Sequence, residues 1–95
     1  MKRLYELTII FVNDDDFSEN CQLLRCMLAG LSCVVKKWED DGVKRLAYTI
    51  RTHGEGHYLY LEPEILEDGD RDLLVSYLNK NEAVLRFLLV PKDDR

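Results

Sequence analysis

Between Leu4 and Val12 apolar side chains recur on every second position, and from Phe17 onward they recur on every third or fourth. That change of period constrains the fold more than any other feature of the chain. A period of two belongs to a strand and a period near 3.6 to a helix. In the first segment Tyr5, Leu7, Ile9 and Phe11 share one face, while Leu4, Glu6, Thr8 and Ile10 share the other. This is a strand with one face committed to a core and one mixed face. Asn13 to Asp16 reads as a turn into a helix, because acidic residues suit the positive end of the helix dipole. Asp15, Asp16 or Ser18 can serve as its N-cap. Phe17, Cys21, Leu24, Leu28 and Leu31 then form one apolar stripe, with Gly30 near the helix end.

The rest of the chain continues the alternation. Cys33 to Trp38 is rich in β-branched and aromatic residues, Glu39-Asp40-Asp41-Gly42 interrupts it, and Val43 to Arg51 resumes it. This predicts either one long strand with a bulge or two strands joined by a tight turn. His53 to Gly56 reads as a loop. His57 to Glu62 reads as a strand with Tyr58 and Tyr60 on one face and Leu59 and Leu61 on the other, and Pro63 ends it or places it at an edge. Glu67 to Asp72 leads into a second helix whose stripe is Leu73, Leu74, Tyr77 and Leu78. Ala83 to Val90 is a last strand, and Lys92 to Arg95 is a short charged end.

The order β-α-β-β-α-β predicts a single α+β domain over residues 1–95 of the ferredoxin-like kind. Four antiparallel strands form the sheet and both helices lie on one face. The expected core is Leu7, Ile9, Phe11, Leu24, Leu28, Leu59, Leu61, Leu74, Leu78, Phe87 and Leu89. Two helices cover only one face, so the other is solvated or used for binding.

Composition narrows the function. The 95 residues carry a formal charge of −5, against the basic balance usual for a nucleic-acid binder. The distribution qualifies the sum. Acids cluster at Asp14 to Asp16, Glu39 to Asp41 and Glu62 to Asp72, leaving the bases to gather elsewhere. Cys21, Cys26 and Cys33 are an odd number without metal-ligand spacing, so reduced and mostly buried thiols are expected. No Gly-rich phosphate loop or G-x-S-x-G elbow appears. His53, Glu55 and His57 read as polar loop residues rather than metal ligands. Neither a catalytic residue, nor a cofactor, nor a metal, nor a small-molecule substrate is expected. Glu6 and Thr8 interrupt any apolar leader core, and no apolar run spans a bilayer, so a cytoplasmic location without membrane contact is expected.

One block resembles a known family. Trp38-Glu39-Asp40-Asp41-Gly42-Val43-Lys44-Arg45-Leu46-Ala47-Tyr48-Thr49-Ile50 is similar to the signature of the sixth protein of the bacterial small ribosomal subunit: a glycine, two basic positions, then Leu-Ala-Tyr-Pro-Ile. Tyr5-Glu6, Gly56-His57-Tyr58 and Asn81 to Phe87 fit the same family in order. Thr49 departs from the usual proline. The resemblance implies a non-enzymatic, structural ribosomal protein that docks on the central domain of small-subunit ribosomal RNA beside the eighteenth small-subunit protein. Carried over by position, it implies Lys2, Arg3, Lys44, Arg45 and Arg86 as RNA-facing residues. Tyr58 and Tyr60, on the sheet face opposite the helices, are the candidates for meeting the protein partner. The competing reading is a diverged, non-ribosomal protein–protein or regulatory module on the same fold.

Overall fold

The computed structural model describes residues 2–92; Met1 and residues 93–95 of the charged end lie outside the described residues. The elements run β1 (Arg3–Val12), α1 (Phe17–Ala29), β2 (Cys33–Ile50), β3 (His53–Ile65), α2 (Asp68–Lys80) and β4 (Val84–Pro91). The strands form one sheet in the order β2-β3-β1-β4, and every pairing is antiparallel. No helix among the described residues is long and apolar enough to cross a membrane.

The alternation in β1 sets the layers. Leu7, Ile9 and Phe11 are fully buried, as are Leu59 and Leu61 of β3. Leu24 and Leu28 of α1 and Leu74 and Leu78 of α2 close over them from one side. Burial of such aliphatic side chains is the main source of stability, at roughly 1.5–3 kcal/mol each. Phe87 and Leu89 are half-buried and pack against this core, and Tyr5, Ile65 and Val84 complete it. Leu73 does not join the α2 stripe. It is 55% exposed, because the helix turns only Leu74, Tyr77 and Leu78 toward the sheet.

The helix ends follow the sequence closely. Asp16 is the N-cap of α1, without a side-chain cap bond. Asp14 Oδ1 instead accepts from the Asp16 N–H at 2.9 Å, which tightens the approach to the helix. Gly30 caps the other end of α1, and Leu31 lies beyond it, packed on the core.

One open alternative is resolved and two expectations change. The segment from Cys33 is a single strand, with register shifts between Val35 and Lys37, Asp40 and Gly42, and Arg45 and Ile50. Gly42 sits at one of these bulges at φ +83, a conformation open to glycine, and its N–H is taken by Asp40 Oδ1 at 2.9 Å. Residues His53 to Gly56 are not a loop. They open β3, and the turn lies one step earlier at Arg51 and Thr52, with φ of +48 and +69. Two consecutive left-handed residues give a turn whose twist matches the flanking strands.

Pro63 neither ends β3 nor lies at an edge. It is fully buried in an inner strand that continues to Ile65. Proline has no N–H to donate, and the irregularities gather around it. It faces Val35 beside the first bulge of β2, and the ladder to β1 passes from Leu4↔Glu64 directly to Leu7↔Leu61.

Candidate nucleic-acid interface

Because Leu59 and Leu61 point into the core, Tyr58 and Tyr60 project from the opposite, helix-free face. Both rings are half-buried there and each already carries a cation. Lys44 Nζ lies 5.0 Å from the centroid of Tyr58, and Lys37 Nζ lies 5.7 Å from that of Tyr60. Ile10 of β1 stands between Tyr58 of β3 and Arg86 of β4 in the register, so these three form one row across the face.

The β2–β3 hairpin continues past the end of β1. Near its tip Leu46 is buried, and with Ile10, Ala47, Tyr48, Ile50, Tyr58 and Arg86 it lines a hollow of about 140 Å³ on the open face. Two contacts tie the tip to β4. Arg86 Nη1 donates to Tyr48 Oη at 2.6 Å. Arg51 Nη2 donates to the carbonyls of Glu82 at 3.1 Å and Val84 at 2.8 Å. Gly56 makes the crossing possible. A Cβ there would stand 2.4 Å from Cγ2 of Ile10 and 3.3 Å from the Phe11 carbonyl, so only glycine lets the strands approach this closely.

This geometry brings Lys44 and Arg86 to one end of the open face, while Arg45 falls by alternation on the other side of β2. All three are exposed. Arg45 stands opposite Glu55 in the hairpin. Lys2 and Arg3 are exposed too, but they do not join this cluster. Arg3 pairs with Ile65 at the far end of β1. Ile10 lies seven residue steps further along the strand, roughly 23 Å at about 3.3 Å per residue.

The far end of the face is mixed in sign. Tyr60 Oη donates to Glu62 Oε2 at 2.6 Å, and Lys92 Nζ donates to the same oxygen at 2.9 Å. These bonds hold the Glu62 carboxyl below the usual carboxylate range. Burial first, and then Glu62, push the Tyr60 phenol well above its ordinary value. Glu6 of β1 and Glu39 of β2 also lie close enough to oppose its ionisation.

Two residues of the site were not singled out from sequence. Tyr48 lies inside the Leu-Ala-Tyr block, so its signal was present. Arg51 carries no motif, since its role depends on carbonyls more than thirty residues away.

On the helix side, His57 is a packing residue. Its ring stacks on Phe17 at 3.4 Å and 3°, and Nε2 lies 2.7 Å from Asp40 Oδ1. That bond, with the Gly42 N–H, lowers the Asp40 pKa. A hollow of about 420 Å³ between α1 and β2 contains none of the sequence-derived candidates, and Arg25 in its wall is stacked 3.8 Å over Trp38. Cys21 and Cys33 are half-buried, and burial raises both thiols. Cys26, contrary to the expectation of buried thiols, is exposed on the outer side of α1, where the helix turns away from the sheet.

The comparisons with known proteins agree with this architecture. The family model described as Ribosomal protein S6 matches residues 4–91. Small ribosomal subunit protein bS6 of Geobacter sp. (strain M21) is 33% identical over 94 residues, covering 92% of this chain and 66% of that protein. The protein of the same name from Acidiphilium cryptum (strain JF-5) is 39% identical over 67 residues, covering 66% of this chain and 39% of that protein. The matched stretch thus spans about two thirds or less of these relatives' lengths. The crystal structure of 30S ribosomal protein S6 from Thermotoga maritima has the same fold, with a TM-score of 0.85 at 18% identity, covering 97% of this chain and 89% of that one. With a family match that runs from the start of β1 to the end of β4, the chain belongs to the ribosomal protein S6 family.

Proposed function

We propose that this chain is a structural protein of the small ribosomal subunit that binds ribosomal RNA through the basic end of its open sheet face. The observation that carries the reading is the convergence of Lys44 and Arg86, with Arg45 on the other side of the same hairpin. Lys44 comes from the β2–β3 hairpin and Arg86 from β4, and the Arg86–Tyr48 bond and the Arg51 clamp lock these elements together. Cations held in a fixed array meet a phosphate backbone with little ordering cost. Family membership supports a ribosomal location and a binding rather than a catalytic role. Lys2 and Arg3 are a second, separate RNA contact at the other end of β1.

The finer reading is a site in the central domain of small-subunit RNA, occupied together with the eighteenth small-subunit protein. Net charge supports the need for a partner, since a chain at −5 gains little from general attraction to RNA. The open face around Tyr58 and Tyr60 is the surface proposed for it. A central-domain RNA fragment titrated with this protein, with and without the partner, across a salt series tests both parts. Log affinity should fall linearly with log salt, by about 0.7–0.9 per phosphate contact. A flat salt response overturns the basic cluster as the contact. Absence of binding at low salt even with the partner overturns the RNA reading. Replacing both tyrosines with alanine should weaken the partner complex by more than about tenfold.

A further inference from the structure

The helix side of the sheet carries an arginine whose hydrogen-bonding capacity is unspent. The Arg25 guanidinium lies 3.8 Å over the ring of Trp38, and among the described residues it makes no hydrogen bond or ion pair. Stacking uses the face of the planar cation and leaves its rim of N–H donors free. A carboxylate is the group that accepts from such a rim through two parallel bonds. Because the indole already holds the guanidinium in place, little ordering remains to be done on binding.

A hollow opens on each side of this pair, and Arg25 and Trp38 line both. The larger, about 420 Å³, has Phe17 and Cys21 of α1 and Leu59 of β3 in its wall. Phe17, Cys21 and Arg25 stand four residues apart and so form one row along the helix. The smaller, about 160 Å³, is bounded by Leu28, Cys33 and Val35. A space of about 150 Å³ holds one benzene-sized group, so each hollow has room for an apolar side chain.

Charge narrows the occupant. Asp40 shares the wall of the larger hollow, and its bonds from His57 and the Gly42 N–H keep it ionised. A fixed negative charge there opposes a multiply charged anion such as phosphate and tolerates a single carboxylate at the arginine. Ser18 and Gln22 in the same wall offer a hydroxyl and an amide. A peptide backbone satisfies these groups and a hydrocarbon tail does not. An apolar residue at the end of a chain meets every condition, since it carries a carboxylate and an apolar side chain on one Cα.

We propose that the groove between α1 and β2 captures the free C-terminus of a neighbouring protein that ends in apolar residues. The terminal carboxylate sits on Arg25, and the last two side chains enter the hollows on either side of Trp38. The groove lies on the helix side, away from the face assigned to RNA, so either reading can fail without the other.

Titration with acetyl-leucyl-phenylalanine tests the proposal. The readout is the emission of Trp38, the chain's single tryptophan. A saturable change is expected, with a Kd of about 1 mM or tighter. The same peptide with an amidated C-terminus should bind at least about tenfold more weakly. Arg25→Gln should weaken the acid by a similar factor and leave the amide unchanged. Arg25→Lys keeps the charge without the planar fork and should fall between the two. Thermal melts show that each variant folds, and the comparison of acid with amide on the unaltered protein carries the test by itself. No saturable response up to about 10 mM overturns the proposal, as does equal binding of acid and amide. Octanoate binding as tightly as the peptide would make this a site for free acids. Displacement of the peptide by an equimolar uridine octanucleotide would assign the groove to RNA. Either result overturns capture of a protein C-terminus.

Discussion

Arg86 on β4 donates to the phenolic oxygen of Tyr48 at 2.6 Å, with its guanidinium carbon 5.5 Å from the same ring's centroid. One side chain from the last strand is thereby held by the tip of the hairpin formed by the second and third. Tyr48→Phe keeps every charge and removes only this anchor. RNA affinity should fall by roughly threefold to tenfold, with the salt dependence unchanged, because ordering Arg86 then costs rotamer entropy. Arg86→Ala should instead reduce the salt slope by about 0.7–0.9. A titration of both variants across salt separates positioning from charge.

Arg51 makes a different kind of contact. Its guanidinium satisfies the Glu82 and Val84 carbonyls where α2 passes into β4. Arg51→Ala should cost roughly 1–3 kcal/mol in denaturant unfolding, because a charged donor to two carbonyls is lost at a partly buried site. Hydrogen exchange should quicken at the hairpin tip and at the start of β4, and remain slow in the middle of β1.

Ile9 and Leu28 belong to the same core from opposite layers. Truncating either to alanine should cost about 2–5 kcal/mol, measured by urea midpoint at constant slope. A loss below half a kcal/mol at both, on the same scale, is the result that contradicts this packing.

Gly56→Ala should destabilise by about 1–3 kcal/mol, since the added methyl must displace Ile10. Shortening Ile10 to alanine in the same chain should relieve part of that loss. A double-mutant cycle gives the coupling directly.

The acid limb of stability should depend on Glu62. Its pKa is lower folded than unfolded, owing first to Tyr60 and then to Lys92. A carboxylate of this kind stabilises the fold above its ordinary value of about 4.3, and the contribution is lost as pH falls through the lowered value. Glu62→Gln should therefore flatten the stability profile below about pH 4 and leave its shape near neutrality unchanged.

The layers were legible because one buried face imposes strict alternation. Leu7, Ile9, Phe11, Leu59 and Leu61 could be placed from period alone, and the helix faces of Leu24, Leu28, Leu74 and Leu78 from spacing. The turn between β2 and β3 was not. Arg51 and Thr52 adopt a conformation that glycine and asparagine usually signal, while Gly56 nearby serves a close crossing instead. Pro63 misled for a related reason, since bulges in its neighbours absorb the missing donor. The basic cluster was half legible. Lys44 and Arg86 converge through the register of the sheet, whereas Arg45 alternates to its other side and Arg3, equally basic, falls at the wrong end of β1. No linear pattern separates these cases, because the distance between them is set by the sheet.

The position of β1 between β3 and β4 has a consequence for synthesis. The strand made first acquires its partners only when residues 53–65 and 84–91 have been made. Among the described strands, β2 pairs with β3 from neighbouring segments, and β1 joins β3 from a distance. Until then Leu7, Ile9 and Phe11 have no sheet to enter, and the nascent chain carries an apolar strand with two unsatisfied edges. The last edge of β1 is closed only by β4, a pairing that spans almost the whole length, and long-range pairings of this kind slow folding. The order in which strands emerge, as well as local helix or hairpin strength, then sets when this sheet can close.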